Sequence, residues 1–335
     1  MKTALVYVAL SPRLIQELEF DAELPRLRAV ADVEIWSGPG NPSLDVMTDA
    51  LQRAQVVITG WGTPPLTPLA EWSPDTFAVR LLNHSAGTVK YFVPVEAIER
   101  GLLVSHANDS LAEAVAEFTI GAIIMGQRQA WLAAKRMREG GERLPVAAQH
   151  EIRGSTIGVI GASAIGRRVM KLLAPHGATL LLYDPYCSSE VAAAHGATLV
   201  DLHELMRQSD TVTLHAPVTP ETLGMLGAAE FAAMKDGALF VNTARGRLID
   251  HDALLHELQT GRINALLDVT DPTEPLPQDS PFFALDNCVV LPHMAATTVE
   301  ARQRQSRMVV DDTLRFLAGE PLHYQVTRER WDTMA

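Results

Sequence analysis

The strongest constraint on the fold is an alternation. Short apolar runs, each long enough for one buried strand, recur along most of the chain with segments of helical periodicity between them. Up to about residue 105 the runs fall near 4–9, 32–36, 55–59, 79–83 and 102–105, with helical patterns near 12–20, 43–53 and 94–100. A second series has strands near 156–160, 178–183, 210–214, 238–242, 263–267 and 288–291, with helices after most of them. Strands fed by crossover helices pair in parallel and are covered on both faces. Each series therefore predicts an α/β unit, and the six-strand series predicts a doubly wound parallel sheet.

Between the two series, residues from about 110 to 138 read as one long helix, opened by the capping box Ser110-x-x-Glu113 and closed by Gly140-Gly141. A last helix over 298–318 starts at a second box, Thr297-x-x-Glu300, and stops at Gly319-Glu320-Pro321. The Pro/Thr-rich pieces near 63–68 and 272–281 read as ordered loops. A chain of 335 residues, 47% hydrophobic and 20% charged, can bury two cores and is not disordered.

The formal net charge of -12 offers no global field for nucleic acid or an anionic membrane, so an anionic ligand needs local cations. The apolar start from Met1 to Leu10 meets Ser11-Pro12-Arg13 without a small-residue cleavage site and reads as a first strand, not a signal peptide. No apolar run reaches the roughly eighteen residues of a transmembrane helix. Cys187 and Cys288 have neither metal-ligand spacing nor partners for a disulfide framework; a reducing cytoplasm and no metal are expected.

Ligands of open parallel sheets bind beyond the carboxyl ends of the strands, and here those ends carry polar groups. The strand 156–160 runs into Gly161-Ala162-Ser163-Ala164-Ile165-Gly166, which has the spacing of a dinucleotide-binding turn with Ser163 in place of its middle glycine. Gly161 permits the tight turn, Gly166 permits close helix–strand packing, and the helix start offers free amides and a positive dipole end to a pyrophosphate. A plain strand-to-helix turn uses the same glycines. Asp184, at the end of strand 178–183, stands where an acid hydrogen-bonds the ribose of NAD and repels a 2′-phosphate, although Asp also favours a turn before Pro185. Further ends carry His215-Ala216-Pro217, Asn242-Thr243-Ala244-Arg245-Gly246, Asp268 and Pro292-His293.

Taken in order, these segments, with Leu214-His215-Ala216-Pro217 followed by Thr219-Pro220-Glu221-Thr222 and with Leu267-Asp268-Val269, resemble the D-isomer-specific 2-hydroxyacid dehydrogenases over nearly the whole chain. The resemblance implies a flavodoxin-like substrate domain, residues 1–107 completed by 296–335, and an inserted Rossmann NAD-binding domain, residues 108–295. It also implies that Arg245 binds the substrate carboxylate and polarises the keto group, that His293 is the acid/base, and that a glutamate partners the histidine. A guanidinium grips a carboxylate through two charge-assisted bonds, each worth roughly 1.5–3 kcal/mol. A histidine of reference pKa about 6.5 can protonate a forming alkoxide, and a neighbouring carboxylate favours its charged form.

The glutamate stands one residue further from Asp268 than in the family's pattern. Aligning on Pro275-Leu276-Pro277 selects Glu274, with Asp271 as the runner-up. By the same resemblance Asp268 holds the nicotinamide carboxamide, His215, Ala216, Pro217, Thr243, Ala244 and His293 border the cofactor, and Asn108 lies near it at the domain crossing. Ser85-Ala86-Gly87-Thr88, after His84, resembles the loop whose amides bind the substrate carboxylate; Trp61 and Gly62, at another strand end, should line the pocket, although simple packing accounts for Trp61 equally well.

Two departures stand out. Ser163 adds a side chain where backbone usually approaches phosphate, and residues 140–153 lack the tryptophan expected in the family's dimer region, so a homodimer rests on resemblance alone. The expectation is an NAD-dependent oxidoreductase interconverting a 2-keto acid and a D-2-hydroxy acid. Alternatives are a dehydrogenase of another small anion, formate or phosphite, and an NAD-sensing binding protein of the same fold.

Overall fold

The structure, a computed structural model, describes residues 4–331 and Met334. Met1–Thr3, at the head of the apolar start, and Asp332, Thr333 and Ala335 of the tail lie outside the described residues. The chain divides into two units: one runs to Leu111 and resumes at Thr297, and the other spans Ala112–Ala296. The first boundary falls a few residues later than the sequence suggests because the first turn of the helix Asn108–Gln127 is tied to the first unit. There Ser110 Oγ donates to Ala107 O (2.6 Å), and Arg304 Nε donates to Ser110 O (3.1 Å).

In the first unit β1 (Leu5–Val8), β2 (Asp32–Ile35), β3 (Val56–Thr59), β4 (Leu81–His84) and β5 (Leu103–His106) form one parallel sheet in the order β2-β1-β3-β4-β5. Alternate side chains serve opposite faces, as a strand's period of two requires. Val57, Leu82 and Val104 pack with Met47, Leu51 and Leu69 on one face, while Val56, Ile58 and Leu81 meet Val309 and Val310 on the other. Those last two belong to the terminal helix Val299–Leu317, which packs on this second face of the sheet. Asn83 Nδ2 donates to Val309 O at 2.7 Å, and the buried Asp312 accepts from Ser105 Oγ, His323 N and Tyr324 N.

The second unit is a seven-stranded parallel sheet of β6 (Thr156–Ile160), β7 (Thr179–Tyr183), β8 (Ala197–Leu199), β9 (Thr211–Leu214), β10 (Leu239–Asn242), β11 (Asn264–Leu267) and β12 (Cys288–Val290). Its order is β12-β11-β10-β9-β6-β7-β8, so the direction of winding reverses between β6 and β9. Strand β8 is additional to the six predicted; three residues after Gly196 make too short a run to stand out. Ile157, Val159, Leu180 and Val241 fill one layer, and Ile160, Leu181, Val212 and Phe240 the other. Each such side chain contributes about 1.5–3 kcal/mol when fully buried.

Three helix expectations need correction. The stretch 110–138 is two helices, Asn108–Gln127 and Ala130–Arg138, separated at Gln129, whose φ of 47° ends the first. Tertiary bonds fix the chain there: Gln127 Nε2 donates to Thr211 Oγ1 (3.1 Å), and Gln127 O accepts from His150 N (2.9 Å). Ser110 lies inside the first helix and is not its cap. For the terminal helix the cap is Thr298, one residue beyond Thr297, with Oγ1 accepting from Ala301 N at 3.1 Å.

Each unit buries one histidine completely enough to hold it neutral. Burial drives His84, with a smaller push from His106, down to about 3; burial alone does the same to His215. An unfolded chain would protonate these rings from about pH 6.5 downward, while the native chain does not, so acid favours unfolding. The calorimetric midpoint should therefore fall between pH 7 and pH 5, and fall less in a His84→Gln variant. An equal slope in that variant would remove His84 from this account.

Candidate active site

The residues singled out in the second unit lie beyond the carboxyl ends of its strands. At the reversal between β6 and β9, Gly161 turns at φ +97°, and a Cβ there would come within 2.8 Å of Ala216 N. Only glycine lets the two strand ends approach so closely. A Cβ on Gly166 would lie 2.0 Å from Gly161 O, so the helix Ala164–Leu173 packs directly on the turn. Ser163, in the middle-glycine position, is the helix N-cap: its Oγ accepts from Gly166 N at 3.2 Å. Its hydroxyl is thereby directed to the helix itself, leaving the amides of Ser163, Ala164 and Ile165 to frame the turn.

Asp184 closes the cradle from β7. Its Oδ2 accepts from Ala162 N (2.7 Å) and its Oδ1 from Tyr186 N (2.8 Å). On the β9 side, His215 Nε2 pairs with Thr213 Oγ1 at 2.9 Å, and its buried Nδ1 has no protein partner among the described residues. Pro217 O accepts from Thr222 Oγ1 (2.7 Å), which fixes the start of that loop. A turn whose depth a Cβ would fill, a helix start facing it and a carboxylate at the neighbouring strand end fit a dinucleotide.

Beyond β10, Asn242 shapes the next loop: Oδ1 accepts from Ala244 N (3.0 Å) and Nδ2 donates to Arg245 O (3.1 Å). Thr243 and Ala244 are buried there, Thr243 against Thr119 Oγ1 at 3.1 Å. A Cβ on Gly246 would stand 2.2 Å from Thr270 C, so the Arg245–Gly246 loop lies flush on the segment after β11. Arg245 Nη1 donates to its neighbour's carbonyl, Ala244 O (2.7 Å), and no ion pair of the described residues includes it. Burial lowers its pKa, and the charge of Glu274 opposes that shift.

His293 Nδ1 lies 3.1 Å from Glu274 Oε2, with both side chains partly open to solvent. Asp271 acts instead on His251, whose pKa burial lowers and whose charged form this carboxylate favours. His293 itself is held at φ +55°, a left-handed conformation unusual for a residue with a side chain. Asp268 holds it there. His293 N donates to Asp268 O (2.9 Å), and the buried carboxylate accepts from Met294 N (2.8 Å) and Ala295 N (2.9 Å). The sequence marks Asp268 as a strand-end acid and, by resemblance, as a holder of the nicotinamide carboxamide; its brace across to the histidine loop needs three-dimensional register to be seen.

In the first unit, Gly60-Trp61-Gly62-Thr63 follows β3, and Thr63 Oγ1 donates back to Gly60 O (2.7 Å). Gly62, at φ +81°, closes against Asn41. Ser85 begins the loop after β4 with both N and Oγ donating to Thr59 O (2.8 Å each). Ala86 is buried, Thr88 Oγ1 accepts from Lys90 N, and a Cβ on Gly87 would meet Asn108 Oδ1 at 3.3 Å. Asn108 N donates to His106 Nδ1 (3.0 Å) at the start of its helix.

The second unit is, by strand order and turn, a dinucleotide-binding Rossmann unit. Residues 120–295 match the sequence profile of the D-isomer specific 2-hydroxyacid dehydrogenase, NAD binding domain. A glyoxylate reductase from Thermofilum pendens is 36% identical over 244 residues, 71% of each chain. A D-3-phosphoglycerate dehydrogenase from Methanocaldococcus jannaschii is 33% identical over 88% of this chain and 55% of its own length. The chain thus spans about half the length of the first curated relatives it matches. In fold it is similar to the NAD complexed D-isomer specific 2-hydroxyacid dehydrogenase from Lactobacillus delbrueckii ssp. bulgaricus, with a TM-score of 0.80, 23% identity and coverage of 97% of this chain and 100% of that one. The chain belongs to the D-isomer-specific 2-hydroxyacid dehydrogenase family, and its cofactor is NAD.

Two outcomes are expected from this geometry. Asp184→Ala removes the negative charge beside the turn and should narrow the ratio of NADH to NADPH affinity measured by fluorescence titration; an unchanged ratio would exclude Asp184 from cofactor choice. Asp268→Asn leaves one of two buried amides without its acceptor, for a loss of about 1–3 kcal/mol. Its thermal midpoint should fall, and hydrogen exchange at Met294 and Ala295 should quicken. Wild-type protection there would contradict the brace.

Proposed function

We propose that this protein is an NAD-dependent dehydrogenase that interconverts a 2-keto acid and a D-2-hydroxy acid. The observation that carries the reading is the pairing of His293 with Glu274 at 3.1 Å, close enough to Arg245 for the same carboxylate to act on it. An imidazole–carboxylate pair moves protons, and a partly buried guanidinium without an acid partner among the described residues takes a carboxylate. In the reducing direction Arg245 grips the substrate carboxylate through parallel N–H donors and fixes the keto carbon. NAD, when bound in reduced form, supplies the hydride. His293 gives its Nε2 proton to the carbonyl oxygen as negative charge develops there, and Glu274 at Nδ1 fixes the ring's tautomer and stabilises the imidazolium. In oxidation the same ring takes the hydroxyl proton. Asp268 and the amides of Ser85–Thr88 are assigned to orienting the nicotinamide and the substrate carboxylate.

The relatives' names direct the substrate panel to glyoxylate and 3-phosphohydroxypyruvate, beside pyruvate and phenylpyruvate. A homodimer working in the cytoplasm completes the proposal; the two free cysteines suit a reducing compartment, and sedimentation would test the dimer. Loss of NADH absorbance with at least one 2-keto acid is the expected result, whereas NADH binding without turnover on any acid would turn the reading toward a sensor. His293→Ala should lower kcat by about 10²- to 10⁴-fold while NADH still binds. Wild-type turnover in that variant would sink the mechanism.

A further inference from the structure

The first unit carries a cation that the chemistry above leaves unused. Its sheet reverses winding between β1 and β3, and ligands of open parallel sheets gather beyond the strand ends at such a reversal. Gly60 and Trp61 stand there. A Cβ on Gly60 would come 2.7 Å from Leu10 Cδ2, just past β1, and 3.1 Å from Ser85 Oγ, just past β4. Arg302, in the first turn of the terminal helix, lies over the Trp61 ring with Cζ 4.2 Å from the centroid. Its Nη1 donates to Gln305 Oε1 (3.1 Å), and the fully buried Gln305 donates through Nε2 to Ser85 O (3.0 Å). The planar cation is therefore held on one face by an indole and at one edge by an amide tied to the Ser85 loop.

Its charge goes unanswered. No carboxylate among the described residues lies within 4.0 Å of it, and its remaining N–H groups have no protein acceptor there. Glu17 attracts Arg302 from further off and is itself paired with Arg13 at 2.6 Å. Partial burial lowers the pKa of Arg302, with Glu17 opposing, so the ion has lost some water without gaining an anion. A fixed guanidinium in that condition, at the ligand end of a sheet, is complementary to a carboxylate or a phosphate.

Resting on the dehydrogenase reading, we propose that Arg302, shelved on Trp61 and anchored through Gln305, recognises a second negative group, carboxylate or phosphate, on the substrate. The substrate class is then a 2-keto acid with an anionic tail, and Arg302 sets specificity without touching the reacting atoms.

The test compares kcat/KM for 2-ketoglutarate and 3-phosphohydroxypyruvate with that for pyruvate in the wild type, Arg302→Met and Arg302→Lys. At least one acid with an anionic tail should be preferred by the wild type, and Arg302→Met should cut that preference about tenfold or more, mainly through KM. Arg302→Lys should keep part of it. A purely structural role would lower all substrates alike and leave the ratio standing, which would overturn the proposal. Calorimetric titration with succinate and with inorganic phosphate supplies a readout without turnover. Weaker binding of either anion to Arg302→Met, in a protein inactive on every keto acid, would uphold the Arg302 site and defeat the dehydrogenase reading. Equal binding to both proteins would defeat the site.

Discussion

The carboxylate of Asp268 carries the part of the second unit on which its chemistry depends. Burying a charge is unfavourable unless hydrogen bonds replace the lost water, and here two backbone amides, Met294 N and Ala295 N, do so at 2.8 and 2.9 Å. Amide bonds to a charged acceptor contribute about 1.5–3 kcal/mol each. That is enough to offset the roughly 1–3 kcal/mol of holding His293 at a positive φ. The imidazole is thus aimed by the end of β11, a strand buried in the middle of its own layers, and not by the flexibility of its loop. Glu274, its partner, leaves the same strand end six residues later, so one element orients both members of the pair.

The same economy governs the neighbouring strand ends. Parallel strands deliver all their carboxyl termini to one rim, and the loops crowd there. Two glycines make the crowding possible: Gly161 passes the start of the β9 loop, and Gly246 passes the segment after β11, each at a separation no Cβ would tolerate. The consequence is close backbone contact at two places, between the nucleotide turn and the β9 loop and between the Arg245–Gly246 loop and the segment after β11. Ser163 shows how the turn accommodates a side chain where glycine is usual. By capping the helix through Gly166 N, its hydroxyl is drawn into the helix start.

The strands were legible because a parallel sheet covered on both faces needs near-continuous apolar runs, and Val56-Val57-Ile58 or Leu180-Leu181-Leu182 have few other uses. Strand β8 escaped because Ala197–Leu199 is short and sits at the sheet's edge. The break at Gln129 escaped because the nearby Gly126 lies inside the helix and no proline follows; the side-chain bonds of Gln127 to distant Ser155 and Thr211 fix the chain there. Within the candidate site, Arg245 and His293 were visible as polar groups at strand ends. The choice of Glu274 over Asp271 turned on one inserted residue, and the geometry sets Glu274 Oε2 against the histidine. Arg302 and Gln305 left no local signal, since on a half-buried helix a cation and an amide are ordinary; only their register against Trp61 and Ser85 distinguishes them.

That register matters because of what the chain's overall charge withholds. With a formal net charge of -12, the molecule repels anions at a distance, and a screening length of about 8–10 Å in physiological salt confines any attraction to short range. An exposed arginine is then a weak attractor, its charge solvated by water and screened by salt. A partly buried one is different, because it has already lost part of its hydration and gains most from an anion that completes its hydrogen bonds. Arg245 and Arg302 are both in that state, each at the strand ends of its own unit and each with only neutral partners directly hydrogen-bonded to it. Arg26 and Arg53, on the surface, are by contrast each paired with two acids. Leaving Arg245 and Arg302 unanswered retains a local electrostatic demand that a small, negatively charged ligand meets.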